Sequence, residues 1–78
     1  MTNFDLWVRG CEINDTQIYP LEPSPKPCTG LYQTKRQYEC EHNYYWTTPM
    51  YHVWIDDEHT VVKDYVEAIR IYEKRLDK

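Results

Sequence analysis

Cys40 and His42 stand two positions apart, so in a strand both side chains leave the same face and can chelate one metal ion. Cys11 and Cys28 complete a Cys3His set, with His52 or His59 as substitutes, and a zinc staple suits a chain too short to build a thick core. The spacing Cys-x16-Cys-x11-Cys-x-His lacks the close cysteine pair that makes zinc motifs specific. A buried cysteine acting as a small hydrophobe is the commoner case. The first expectation is therefore no cofactor, with zinc at Cys11, Cys28, Cys40 and His42 as the alternative.

The same Cys40–His42 pair has the residue types of a nucleophile and its base. Catalysis also needs an orienting group and a formed cleft, and nothing near the pair supplies them. The one serine, Ser24, sits among prolines. Gly10 and Gly30 are the only two glycines, which leaves no glycine-rich loop to cradle a phosphate. The chain reads as a non-enzyme.

Asp56-Asp57-Glu58 could gather a cation, but charges that complement a following helix N-terminus explain it with less machinery. Glu39 and Glu41 alternate on one side of a strand, where they form an acidic solvated edge that discourages stray pairing. Aromatic usage is the most pointed feature. Eight tyrosines and three tryptophans accompany one phenylalanine. Tyrosine and tryptophan join apolar area to a polar tip and are enriched at interfaces. Stacking on single-stranded nucleic acid would need a positive groove beside them, whereas here acids share the segment.

The net charge of −4 is unevenly spread. Residues 1–60 hold nine acids against four bases, and residues 61–78 hold four against five. Such a body repels duplex phosphates and suits a partner with a basic surface. The opening Met1-Thr2-Asn3-Phe4-Asp5 has no basic, apolar leader, and no run reaches the length of a membrane helix. An odd cysteine count of three fits free thiols in a reducing compartment, so a cytoplasmic location is expected.

These residues must be positioned by a small α+β domain spanning 1–78, with an antiparallel sheet of three to four strands and one C-terminal helix on one face. Phe4, Leu6 and Val8 alternate with Asp5, Trp7 and Arg9, the period of a half-buried strand ended by Gly10. Ile13 and Ile18 are expected in the core around an Asn14-Asp15 turn. Pro20, Pro23, Pro25 and Pro27 make residues 20–27 an extended connector, and the Pro20-x-x-Pro23 spacing also fits an SH3-type groove. Leu31–Thr34 is a short strand and Lys35-Arg36 a turn.

Residues 37–47 and 50–56 then read as a hairpin about Thr48-Pro49. A two-residue loop puts Tyr45 opposite Trp54 and leaves Tyr45, His52 and Trp54 away from the core. A three-residue loop instead groups Tyr44, Trp46, His52 and Trp54. From Val61 the period is helical, with Val62, Tyr65, Val66, Ile69, Tyr72 and Leu76 as the apolar stripe. Asp57 or Thr60 is the expected cap, and Lys74, Arg75 and Lys78 complement the far end.

The functional expectation is a non-enzymatic binding protein, an inhibitor or adaptor of the kind phages and mobile elements encode. It would act through an acidic hairpin surface of Tyr45, Trp54, His52, Glu39 and Glu41. Carboxylate mimicry of nucleic acid is a further mode, for which −4 is little charge. A second copy of the chain is one candidate partner, giving a homodimer. A zinc-binding domain and an aromatic small-ligand pocket are the competing classes.

Overall fold

The computed structural model describes residues 1–77; Lys78, assigned above to the helix C-terminus, lies outside the described residues. The elements run α1 (Asn3–Ile13), β1 (Thr16–Pro20), β2 (Gly30–Cys40), β3 (Asn43–Trp46), β4 (Met50–Ile55), β5 (Glu58–Val62) and α2 (Tyr65–Leu76). The class is α+β as expected, with five strands and a second helix. All pairings are antiparallel, in the order β1-β2-β4-β5, with β3 also on β2.

The expected first strand is a helix. Thr2 Oγ1 accepts the Asp5 N–H at 3.1 Å, and the Asp5 carboxylate accepts the Thr2 N–H at 3.4 Å, a capping box. Asp57, distant in sequence, accepts the N–H groups of Asn3 and Phe4 at 3.0 and 2.8 Å. The first three helical N–H groups, normally orphaned, therefore all have acceptors. Helical winding turns Phe4 and Trp7 onto the sheet and leaves Leu6 53% exposed. Ile13 is exposed rather than part of the core.

β2 organises the sheet. Its eleven residues span roughly 33 Å at about 3.3 Å each, long enough to take two partners in line along one edge. β4 pairs with residues 30–34 and β3 with residues 37–40. Lys35-Arg36 therefore lies within a strand, not at a turn. Residues 47–49 form the break between β3 and β4, clamped where the Thr47 N–H donates to the Arg36 carbonyl and the Arg36 N–H donates to Thr47 Oγ1. The turns are elsewhere, at Glu41-His42 and Asp56-Asp57, whose four residues all have positive φ, between 47° and 70°. Left-handed backbone at both central positions is what a type I′ hairpin requires.

Pro20 closes β1, an edge strand where its missing N–H costs no ladder bond. Residues 21–29 then connect to β2 without helix or strand, in line with the proline reading.

The two helices take opposite sheet faces. On the α2 side Leu31, Val53, Ala68 and Tyr72 form the buried core, with Ile55, Val62, Ile69, Ile71 and Leu76 packed around them. α2 begins later than the sequence pattern suggests, because Val61 and Val62 belong to β5. Its cap is Asp64, not Asp57 or Thr60, accepting the Val66 N–H at 3.4 Å. The buried stripe is correspondingly rotated toward Ala68 and Tyr72, and Val66 is exposed. No helix among the described residues is long and apolar enough to cross a membrane.

Candidate functional site

Two places gather chemistry-bearing side chains. The first is the ribbon Gln37–Trp46, which runs beyond β4 and β5 at the end of a molecule 48 Å long and 17 Å thin. Neither helix packs on it, and neither β1 nor β5 extends along it. Consequently Tyr38, Tyr44, Tyr45 and Trp46 are between 44% and 66% exposed.

Pairing within the ribbon sets two faces. Tyr38 and Tyr45 are directly opposite, with ring centroids 5.7 Å apart, and share one face. Trp46 and Tyr44, opposite Gln37 and Glu39, share the other. Lys35 Nζ lies 4.5 Å from the Trp46 ring centre and 5.1 Å from that of Tyr19, cation–π contacts that orient the indole. Glu39 stands on the ribbon and Glu41 in its turn, so the tip is acidic and the base carries Lys35 and Arg36.

Of the expected surface, Tyr45, Glu39 and Glu41 belong to this ribbon. His52 and Trp54 do not. Tyr45 is paired with Tyr38 and Trp54 with Gly30, eight residues apart on β2, or about 26 Å. Trp54 is 1% exposed and His52 7% exposed, because α1 covers the face that a one-helix fold would have left open. The Tyr45–Trp54 pair is thus corrected to Tyr38–Tyr45. Trp46, Tyr44 and Tyr38 are the ribbon aromatics that the hairpin register concealed.

The second place lies under α1. Trp7 sits over an aromatic and imidazole cluster, with its ring 4.9 Å from His52, 5.5 Å from both Trp54 and His59, and 5.7 Å from Tyr32. Phe4 meets Trp54 edge-on at 5.2 Å. Gly30 has no side chain, and the Tyr32 ring passes where its Cβ would stand. His59 stacks flat on Trp54 at 4.2 Å, and the Trp54 indole N–H has no acceptor among the described residues.

A hydrogen-bonded chain crosses this cluster. Thr34 Oγ1 lies 2.6 Å from His52 Nε2, and His52 Nδ1 lies 2.8 Å from His59 Nε2. Burial first, then the neighbouring His59, lowers His52 to about 4; burial also lowers His59. The connectivity is that of a nucleophile, a base and an orienting group. Thr34, however, is buried in the middle of the sheet. The nearby recess of about 570 Å³ is lined by His59 and Trp7 but not by Thr34 or His52. Thr34 is 6% exposed, and its hydroxyl is not presented to that recess.

The four alternative zinc ligands do not converge. Cys28 precedes β2 and Cys40 ends it, roughly 33 Å or more apart along the strand. Cys11 is on α1, and His42 is in the ribbon turn. No group of three or more His, Cys, Asp or Glu side chains gathers among the described residues. All three cysteines are free thiols. Asp56-Asp57-Glu58 is neither a metal cluster nor the cap of α2; it turns β4 into β5 and presents Asp57 to the start of α1.

Comparison with protein-family models, with curated proteins and with solved structures returns no match.

Proposed function

We propose that this chain works by binding rather than by catalysis, as an inhibitor or adaptor that docks the Gln37–Trp46 ribbon on a basic surface of a protein partner. The supporting observation is the exposure of four large aromatic side chains on a ten-residue ribbon that no other element covers. Two-stranded ribbons are marginal alone, and leaving Tyr and Trp in water there has no stability advantage. Aromatic anchors ringed by charge match the layout of binding hot spots. Glu39 and Glu41 at the tip would meet the partner first and favour a basic one.

The test is affinity capture from the native host, followed by binding of the identified partner to ribbon variants. Tyr45→Ala and Trp46→Ala are each expected to weaken binding about tenfold or more, with the melting curve kept. Charge reversal at Glu39 and Glu41 is expected to slow association and flatten its salt dependence. A partner held equally well by both aromatic variants would remove this reading.

A further inference from the structure

The backbone of the ribbon shows which of its groups are left without a strand to pair with. The Thr47 N–H donates to the Arg36 carbonyl, and the Arg36 N–H donates to Thr47 Oγ1. The backbone groups of Arg36 therefore point to the β3 side of β2. Backbone direction alternates along a strand, so Tyr38 and Cys40 point there too, at their register partners Tyr45 and Asn43. Tyr44 and Trp46 consequently aim their N–H and C=O groups the other way, off the outer edge of β3. Among the described residues no strand pairs with that edge.

Exposed sheet edges are normally blunted by charge, proline or a covering element. β1 has α1 against it and ends in Pro20. β5 carries Glu58, and the free stretch of β2 carries Glu39. β3 has none of these protections. Asn43-Tyr44-Tyr45-Trp46 contains neither charge nor proline, and its aromatic side chains are exposed. Such an edge is a template for another strand.

We propose that the outer edge of β3 pairs antiparallel with β3 of a second copy, about a two-fold axis beside Tyr45. Hydrogen-bonded pairs join residues whose backbone groups face one another. The register that uses both outward-pointing residues sets Tyr44 opposite the partner's Trp46, and Trp46 opposite the partner's Tyr44. Each of these pairs exchanges two N–H···O bonds, with Tyr45 opposite the partner's Tyr45 at the centre. Opposed side chains share a face. One face of the joined ribbons then carries Tyr38 and Tyr45 of both copies in a single row. The other sets each Tyr44 against the partner's Trp46, the kind of aromatic cross-strand pair that stabilises sheets. A ribbon that is marginal alone gains the further strands a free-standing sheet needs.

Charge and symmetry favour a second copy as the occupant. The seam is uncharged, and antiparallel direction keeps the two acidic tips at opposite ends. On the same edge β5 ends at Val62, opposite Tyr51, and the exposed Lys63 follows it. The partner's Glu41 is carried toward that lysine. A two-fold contact uses the same patch on both copies, so assembly closes at two. The pairing takes the edge of the ribbon and leaves its faces to other partners, so it stands or falls apart from the docking proposed above. Strands this short make a seam below the about 1,200 Å² of stable complexes. The dimer is therefore weak, with a dissociation constant between about 10 μM and 1 mM.

The test is sedimentation equilibrium of the whole chain up to 1 mM, with isotope-filtered NMR on a mixture of labelled and unlabelled protein. The mass should rise from monomer to dimer with concentration and go no further. Intermolecular contacts are expected between Tyr44 and the partner's Trp46, and between Tyr45 and the partner's Tyr45. Tyr44→Pro removes an N–H that points away from β2, so it costs the ribbon no internal ladder bond. Each copy loses a seam donor, and dimerisation should weaken about tenfold or more with the melting curve kept. A chain still monomeric at 1 mM would overturn the proposal. A dimer without those contacts, or one that Tyr44→Pro leaves unchanged, would overturn it equally. If the variant does not fold, the wild-type contacts decide alone.

Discussion

Truncating Trp7 separates the helical from the extended reading of the first segment. In a strand, Leu6 would face the core and Trp7 the solvent; in α1, Trp7 covers four sheet residues and Leu6 is 53% exposed. A fully buried Trp→Ala change costs about 3–5 kcal/mol. Trp7 is only partly buried, so about 2–4 kcal/mol is expected, including the aromatic pairings lost with the ring. A domain of this length has about 4–12 kcal/mol of total stability at 0.05–0.15 kcal/mol per residue. The loss is thus a large share of the whole. At about 4–8 °C per kcal/mol for small domains, Trp7→Ala should lower Tm by roughly 8–32 °C. Leu6→Ala should stay within about 0.5 kcal/mol, as exposed positions do. Thermal unfolding followed by far-UV circular dichroism at pH 7.5 measures both. The reverse order, with Leu6→Ala the damaging change and Trp7→Ala nearly silent, would refute the packing of α1 on the sheet.

A charge placed at Ala68 enters the core beside Leu31, Val53 and Tyr72, so Ala68→Asp should cost several kcal/mol and abolish the cooperative melt. Val66→Asp, on the exposed side of the same helix, should leave it nearly unchanged; equal damage from the two would show a different helix rotation. Purification with a strong chelator should not shift the melting curve, because Cys28 and Cys40 sit at opposite ends of β2. One equivalent of zinc surviving dialysis, with unfolding on its removal, would contradict that expectation.

Local signals were enough for the presence of α2, though not for its start or cap, and for the proline connector. The helical period of residues 65–76 and the missing N–H groups of four prolines act within a few residues, so no distant partner is needed to read them. The β character of residues 30–40, 43–46, 50–55 and 58–62 was legible in part, as strands at 31–34, 37–47 and 50–56. Their pairing was not. Both tight turns use Glu41-His42 and Asp56-Asp57 in left-handed backbone, without the glycine or asparagine that usually announces such turns. The more conspicuous Thr48-Pro49 is a break within one edge of β2, and it drew the hairpin to the wrong place.

The opening segment was ambiguous for a related reason. Phe4 and Val8 are spaced both as alternate strand positions and as one helical turn, so periodicity over so few residues does not choose. Tertiary structure chose: Asp57, more than fifty positions away in sequence, supplies acceptors to the first helical N–H groups. That choice also decided the candidate sites. With α1 laid over the sheet, His52 and Trp54 are buried, His52 hydrogen-bonded to Thr34 and His59 and Trp54 stacked on His59. The ribbon beyond the reach of either helix keeps Tyr38, Tyr44, Tyr45 and Trp46 in water. Composition alone revealed the aromatic excess, but which rings are free is a property of which faces the chain covers, and that depends on contacts no local window contains.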